Sequence, residues 1–339
     1  MKSLLSNLIK FKKPKFWDLP KPNLIAFILI PFSLIILVRN YLSQFFIKNE
    51  SLKIKTICVG NIYLGGTGKT PLTIKIYEIL KKLKYQVATV KKDYTSQKDE
   101  QLLLNQKTNL IVVNSRKKAI HDGLKKKLDY LVFDDGLQEI GMKFNFKFVC
   151  FKTKFWIGNG QLIPAGPLRE KLSSLIKFDA VFLNGHSHSL NKIENQIQII
   201  NSNIKIFKTY NKILNIDKYD KNSKYLIFSG IGNPSEFKEI LLENKFNIEK
   251  EITFPDHYNY NNNDFEKIID IAKNKNLKIL TTEKDFMKVP QKFREEIKFI
   301  SIDVVIQDEN ELINLLKIWY ENHKIFFSIH FNNFFIYCI

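Results

Sequence analysis

Cysteine is scarce in this chain: three in 339 residues, at Cys58, Cys150 and Cys338. So small and scattered an odd set excludes a disulfide framework and a cysteine zinc site, and it suits a reducing compartment. Acidic residues are also in deficit, 34 against 53 Lys and Arg, which leaves a formal charge of +19. A basic excess of this size points to nucleic acid or an anionic membrane. No arginine-rich arm or aromatic–basic repeat supports nucleic acid. The excess is spread over an Asn-, Lys- and Ile-heavy chain and selects no partner by itself. Internal repeats are missing, and long apolar runs are nearly so. The one prominent run is Leu24–Val38, L-I-A-F-I-L-I-P-F-S-L-I-I-L-V, without a charge between Lys21 and Arg39. No small-residue cleavage site follows it, so it is not an ordinary signal peptide. It is shorter than the roughly 20 residues that span a bilayer as a helix, and Pro31 predicts a kink. A core helix would show one polar face, whereas this stretch is apolar all round and fits lipid better. It reads as an N-terminal anchor that spans or dips into a membrane. Lys10, Lys12, Lys13 and Lys15 before it and Arg39 and Lys48 after it barely orient it.

Glycine is sparse too, at 13, yet four of these fall in Val59-Gly-Asn-Ile-Tyr-Leu-Gly-Gly-Thr-Gly-Lys-Thr-Pro71. The preceding Lys55–Val59 is short and β-branched, as a buried parallel strand is. After it, Leu72, Ile76, Ile79, Leu80 and Leu83 recur at helical spacing. A strand that enters a helix through Gly65, Gly66, Thr67 and Gly68 turns its backbone N–H groups onto an anion, and the helix dipole adds to the attraction. In such a loop Lys69 reaches the β/γ-phosphates and the Thr70 hydroxyl holds Mg²⁺. The strict phosphate-loop pattern asks for Gly where this chain has Tyr63. The segment reads as a nucleotide site for ATP and Mg²⁺.

Further candidates lie downstream. Asp134-Asp-Gly-Leu-Gln138 follows the apolar strand Tyr130–Phe133, where a phosphate-loop enzyme holds its Mg²⁺. The alternative is a simple Asp-Gly turn. Gly158-Asn-Gly-Gln-Leu-Ile-Pro-Ala-Gly-Pro-Leu-Arg-Glu170 is a rigid loop that presents Arg169 to phosphate and Glu170 to metal, or else an ordinary surface connection. Phe254-Pro-Asp-His-Tyr258 places His257 at the end of a strand, where a lone histidine is more often structural. Thr281-Thr-Glu-Lys-Asp285 also ends a strand, and capping of a helix by Thr282 is its bland reading. Gly185-His-Ser-His188 lacks a third ligand and reads as a loop.

Strand and helix patterns alternate from Lys55 onward. Strands are predicted at Gln86–Val90, Leu110–Val113, Tyr130–Phe133, Phe146–Cys150 and Asp179–Leu183, as in a parallel α/β sheet. The composition changes around Ile193–Lys224. A second α/β section follows, with strands at Tyr225–Ser229, Lys278–Thr281 and Phe299–Ile302 and helices near Pro234–Asn244, Asn263–Lys273 and Asn310–Asn322. The predicted class is α/β: a phosphate-loop NTPase-like parallel core, a second, smaller α/β subdomain and an N-terminal membrane helix. The expected divisions are an anchor segment at 1–50, a kinase core at 51–200 and a C-terminal subdomain at 201–339.

The ordered set V-G-N-I-Y-L-G-G-T-G-K-T-P, D-D-G-L-Q, G-N-G-Q-L-I-P-A-G-P-L-R-E, F-P-D-H-Y-N-Y and T-T-E-K-D, after an apolar N-terminal segment, resembles the tetraacyldisaccharide 4′-kinase family, the lipid A 4′-kinases of Gram-negative bacteria. The likeness runs over nearly the whole chain, and the proline-glycine loop is its most specific piece. It implies a kinase at the cytoplasmic face of the inner membrane. That kinase would move the γ-phosphate of ATP to the 4′-hydroxyl of a tetraacylated glucosamine disaccharide 1-phosphate, giving lipid IVA. The implied partners are that membrane lipid substrate and the inner-membrane bilayer, with no nucleic acid. It also implies a catalytic pair at Asp99 and His257, with Asp99 accepting the sugar proton. Arg169 acts on the transferring phosphate, Arg116 on the nucleotide, and Thr70, Asp134, Asp135 and Glu170 on the metal. Members of that family also lack the glycine replaced here by Tyr63.

The chain departs from the family pattern in places. Val90-Lys-Lys-Asp-Tyr94 stands where Ser-Arg-Gly-Tyr-Gly is usual, a shortened loop follows, Gln101 replaces a proline, and Glu139 replaces the His after D-D-G-x-Q. Two other readings stay open. One is a membrane-associated ATPase switch of the deviant phosphate-loop type, against which stands Leu64 at that type's lysine position. The other is a degenerate protein that retains only the fold, against which stand Lys69, Thr70, Asp134 and Asp135.

Overall fold

The computed structural model describes residues 13–43, 54–94, 97–139, 141–185 and 189–317. In chain order the main elements are α1 (Leu24–Ser43), β1 (Lys55–Gly60), α2 (Lys69–Lys82), β2 (Val87–Lys92), α3 (Lys98–Lys107), β3 (Leu110–Val113), α4 (Arg116–Lys125), β4 (Tyr130–Asp134), β5 (Phe146–Lys152) and β6 (Ala180–Asn184). There follow α5 (Leu190–Ile200), β7 (Lys205–Ile213), β8 (Lys224–Ser229), α6 (Pro234–Glu243), β9 (Asn247–Thr253), α7 (Asn262–Asn274), β10 (Lys278–Thr282), the short α8 (Glu283–Phe286), β11 (Ile297–Ile300) and β12 (Ile302–Ile306). Residues 309–317 are helical.

Two sheets result. The larger has eight strands in the order β12-β7-β6-β5-β1-β4-β2-β3, parallel except for β12, which runs antiparallel to β7. The smaller has four parallel strands ordered β11-β10-β8-β9. Parallel strands are covered on both faces, so they read as continuous apolar runs. β4 is buried along its whole length, and β1 at every residue after Lys55. One face of the large sheet packs Phe148, Phe182 and Phe207 against Leu72, Ile76 and Leu80 of α2 and Leu312 and Leu316 of the last helix. The other face sets Cys58, Val90, Leu131 and Phe133 against Ala119 of α4. Each such fully buried aliphatic or aromatic side chain contributes about 1.5–3 kcal/mol.

The stretch Phe299–Ile302, read as one strand, divides between the two sheets. Ile300 ends β11 in the small sheet, and Ile302 starts β12 in the large one, paired with Ile213. Only Ser301 lies between, tied to the other crossing by Leu214 N–H donating to the Ser301 carbonyl at 2.9 Å. The small sheet is thus an insertion between β7 and β12. Strand β7 follows the compositional change but pairs with β6. Its pattern escapes a sequence reading because alternate residues are exposed or half-buried.

Helix α1 is 20 residues long and runs through Pro31. At 1.5 Å per residue it is about 30 Å long, the thickness of a bilayer's hydrocarbon core. Its geometry is more specific than that of an apolar rod. Ala26 and Ser33 are buried, while Leu24, Ile28, Phe32 and Ile35 are more than half exposed. The Ser33 hydroxyl donates to the Leu162 carbonyl at 2.9 Å, and Asn40 Nδ2 donates to the Arg169 carbonyl at 2.8 Å. One stripe of the helix therefore packs on the proline-glycine loop, and its other faces stay apolar and open. The aromatic C-terminal tail, Ile325–Ile339, lies outside the described residues, as does His186-Ser-His188.

Candidate active site

The C-terminal ends of β1, β2 and β4 meet where the strand order reverses, the place at which open α/β sheets bind ligands. Between β1 and α2 the chain forms a cradle. Gly65 and Gly68 take φ of +139° and +87°, a region that costs an L side chain strain. A Cβ on Gly66 would find no atom nearer than 4.0 Å, so the hollow above the loop is open. Three buried polar atoms around it lack a hydrogen-bond partner: Asn61 Oδ1, Thr67 Oγ1 and Asp134 Oδ1. Such atoms are costly unless a ligand completes them. Asn61 also donates to the Tyr63 and Gly65 carbonyls, at 2.5 and 3.2 Å, which shapes the turn.

The predicted metal residues surround this cradle. Thr70 Oγ1 donates to Asp134 Oδ2 at 2.9 Å. Asp135 lies 3.9 Å from Lys69 Nζ and 3.5 Å from Arg169 Nη1. Burial works to raise the Asp135 carboxyl, but Lys69 and Arg169 outweigh it and bring it down to about 2. Glu170 accepts from Gln138 Nε2 at 2.9 Å, and Arg169 donates to Gln138 Oε1 at 3.3 Å. No three His, Cys, Asp or Glu side chains among the described residues form a complete metal cage. The donors that do converge, Thr70 with the orphaned Asp134 oxygen, suit a Mg²⁺ whose other positions go to phosphate and water. Arg116 is buried and faces the interior. Its Nε donates to the Asp135 carbonyl at 3.1 Å, and its Nη1 pairs with Glu139. It braces the turn at Gly136, where a Cβ would come within 2.8 Å of Arg116 Nε. Lys92 also reaches Glu139, at 3.7 Å, so two departures from the family pattern meet in space.

Asp99 lies in a helix of the large-sheet part and His257 in a turn of the small-sheet part, 158 positions apart, yet His257 Nδ1 lies 2.9 and 3.1 Å from the two Asp99 oxygens. Asp99 opens α3. His257 follows β9 at a φ of +55°, its backbone N–H donating to the Gly230 carbonyl at 3.1 Å. Two lysines complete the pair: Lys284, inside the charged Thr281–Asp285 segment, and Lys288, which the sequence did not single out. Lys288 Nζ lies 2.9 Å and Lys284 Nζ 3.6 Å from Asp99 Oδ2. Burial pushes the Asp99 carboxyl up, but the His257 hydrogen bond and the two ammonium groups hold it well below the usual carboxylate range. The capping role of Thr282 holds as well: its hydroxyl accepts from the Asp285 N–H at 3.1 Å. The same segment therefore both caps a helix and carries Lys284 to the dyad. Sequence reasoning also missed Lys91 and Glu100, which lie between the two groups. The one available signal for Lys91 was a lysine inside an otherwise buried strand.

Tyr63 is not a defect of the loop. Its backbone bridges to Leu168, and its ring packs with Leu162, Leu168, Leu37 and Phe155. Its hydroxyl contacts Lys13 and Asp18, ahead of α1. Leu64 N–H donates to the Pro167 carbonyl at 2.8 Å, and Arg169 N–H to the Ile62 carbonyl at 2.7 Å. The glycine loop, the proline-glycine loop and the N-terminal segment form one unit.

A glycine cradle after β1, a carboxylate at the end of β4 and a cationic rim define a phosphate-loop nucleotide enzyme. The family model for tetraacyldisaccharide-1-P 4′-kinase matches residues 24–320. The chain is 45% identical over 309 residues to the tetraacyldisaccharide 4′-kinase of Pelagibacter ubique (strain HTCC1062), covering 91% of this chain and 98% of that one. To the same enzyme of Rickettsia canadensis (strain McKiel) it is 32% identical over 328 residues, covering 90% and 96%. Its fold matches the crystal structure of LpxK from Aquifex aeolicus in complex with ATP at a TM-score of 0.66 and 23% identity, over 87% of this chain and 99% of that one. This chain belongs to the tetraacyldisaccharide 4′-kinase family.

Proposed function

We propose that the protein transfers the γ-phosphate of ATP to the 4′-hydroxyl of a tetraacylated glucosamine disaccharide 1-phosphate, at the cytoplasmic face of the inner membrane. The observation that carries this reading is the joining of two half-sites. The phosphate cradle and the aspartate–histidine pair are joined through Lys91, whose Nζ meets Asp134 at 2.8 Å and Glu100, the neighbour of Asp99, at 2.5 Å.

Lys69 and Arg169 supply positive charge for the phosphates, where phosphoryl transfer needs neutralisation and alignment more than covalent chemistry. Thr70 and Asp134 are the residues that would hold Mg²⁺, with Asp135 and Glu170 behind them, and the ion would neutralise charge on the phosphate oxygens. An ionised Asp99 can only accept, so His257 Nδ1–H donates to it and leaves Nε2 as an open acceptor. Asp99's side chain is 2% exposed and covered by His257 and Lys288, whereas that of His257 is 21% exposed. We therefore assign the first proton acceptance to His257 Nε2 and orientation to Asp99, a reversal of the roles the sequence suggested. The sugar oxygen bonds to phosphorus, its proton goes to Nε2, and ADP leaves.

The open apolar faces of α1 support placement at a membrane, since the acceptor's acyl chains stay in lipid. Because α1 also holds the Arg169 loop through Asn40, anchoring and phosphate binding share one brace. In functional terms we divide the chain into the anchor at 1–50, the nucleotide half at 51–200 and a part at 201–339 that both completes the large sheet through β7 and β12 and, with the small sheet inserted between them, brings His257.

The test is transfer of label from γ-labelled ATP to the disaccharide 1-phosphate in detergent micelles. Labelled lipid is the expected product. ATP hydrolysis without labelled lipid would favour an ATPase switch, and neither activity would favour a degenerate fold.

A further inference from the structure

Three carboxylates stand around the His257 imidazole. Asp99 takes its Nδ1 side, while Glu100 Oε1 and Asp256 Oδ2 each lie 3.8 Å from Nε2. Both are too far to bond and near enough to do so after a small shift. One cation touches all three. Lys284 Nζ lies 3.6 Å from Asp99 Oδ2, 3.5 Å from Glu100 Oε1 and 3.5 Å from Asp256 Oδ1. Burial works to lower its proton affinity, yet Glu100, Asp256 and Asp99 outweigh that and hold it above the ordinary lysine value. The other cations serve one of the three carboxylates each. Lys288 meets Asp99 at 2.9 Å and has Asp285 and the Tyr260 ring beyond it, and Lys91 meets Glu100 from behind, at its Oε2.

The chain pins Lys284 on both sides. Glu283, before it, pairs with Lys107 at 2.6 Å and accepts from the Ser301 hydroxyl at 3.1 Å. Asp285, after it, is buried and accepts from the Gly230 N–H at 2.9 Å and the Thr282 hydroxyl at 2.8 Å. An ammonium so enclosed is expensive to desolvate, and ion pairs of about 3.5 Å return little of that cost, so stability alone does not call for it. The chemistry does. Nε2 must be free of a proton to take one from the sugar. Two anions beside it would favour a proton there and fill the acceptor position with an Nε2–H bond to one of them. Asp256, with its side chain 42% exposed, is the freer of the two to turn. We propose that Lys284 is a positioning residue that keeps His257 Nε2 an open acceptor, by holding Glu100 and Asp256 in its own ion pairs. The sugar hydroxyl then meets a bare nitrogen, and the anions around it are matched by a fixed cation.

This inference rests on the assignment of first proton acceptance to His257 Nε2. Its test is the single-turnover rate of phosphate transfer against pH, on the full chain in detergent with ATP and the disaccharide 1-phosphate. In Lys284→Ala the pH below which the rate falls should rise by at least about one unit, with the rate near about pH 9 recovering to within about threefold of wild type. Lys284→Arg keeps the charge and should keep the wild-type profile. Adding Asp256→Asn to Lys284→Ala should carry the fall back toward its wild-type pH, because one released anion is gone. A Lys284→Ala rate lowered by the same factor at every pH, or unchanged at every pH, would overturn the proposal. If Lys284→Ala does not fold, Lys284→Gln carries the same comparison. His257→Ala is measured beside them, and a wild-type rate there would instead sink the His257 assignment.

Discussion

The two halves of the site are built in opposite ways. The nucleotide half is local: Gly65 to Thr70 are contiguous, and their partners Asp134 and Arg169 sit on or beside strands of the same sheet. The proton-transfer half is assembled at long range, with Asp99 from α3 of the large-sheet part and His257, Lys284 and Lys288 from the small-sheet part, Lys284 on α8. A local half-site forms as soon as its sheet forms. The other exists only while the inserted small sheet is seated against α3, where Lys107 pairs with Glu283 at 2.6 Å. Changes in the second half should therefore damage transfer and spare nucleotide binding.

The comparison breaks at several points. The largest effect is expected for His257→Ala, which removes the acceptor and should lower kcat by about 10²–10⁴-fold with little change in affinity for an ATP analogue. Lys69→Ala should cost about 10³-fold in transfer and weaken the analogue as well, since the lysine acts on the phosphates themselves. Isothermal titration beside steady-state kinetics reads both. Tyr63→Phe is a milder probe. It keeps the packed ring and removes the hydroxyl contacts to Lys13 and Asp18, so stability should fall by about 1 kcal/mol in a denaturant melt with kcat nearly intact.

The smallest effect concerns acid. Glu100 and Asp135 both lie at about 2, held down against burial by Lys91 and Lys284 for Glu100 and by Lys69 and Arg169 for Asp135. A carboxylate depressed on folding contributes stability that is complete above its unfolded pKa and lost as pH falls through its folded one. The stability these two groups contribute should thus begin to fall as pH enters the ordinary carboxylate range, where the unfolded chain takes up protons, and go on falling toward pH 2. Glu100→Gln should flatten that limb, and an unchanged limb would remove Glu100 from the linkage.

What was legible in the sequence follows the same division. Contiguity made the glycine loop, the buried strand before Asp134 and the proline-glycine loop readable, because short-range spacing encodes them. The buried strands of both sheets were readable as apolar runs. Strand β9 was not, because its residues are exposed or half-buried, and β12 was hidden by abutting β11. The roles of the lysines at 91, 284 and 288 were harder to read for a different reason. A lysine in a sequence looks solvated until the fold surrounds it with carboxylates: the large sheet and α3 do that for Lys91, and docking of the small sheet brings Lys284 and Lys288 to Asp99. Arg116 shows the reverse case, a residue expected at the nucleotide whose guanidinium the fold turns toward Glu139 and the Asp135 carbonyl.

The most direct test of this two-part construction is Asp99→Asn, with the Kd of a non-hydrolysable ATP analogue and the single-turnover rate of phosphate transfer measured on the same preparation. The account predicts a Kd within about threefold of wild type and a transfer rate lowered at least about a hundredfold. A parallel loss of both, or a rate left unchanged, would contradict it.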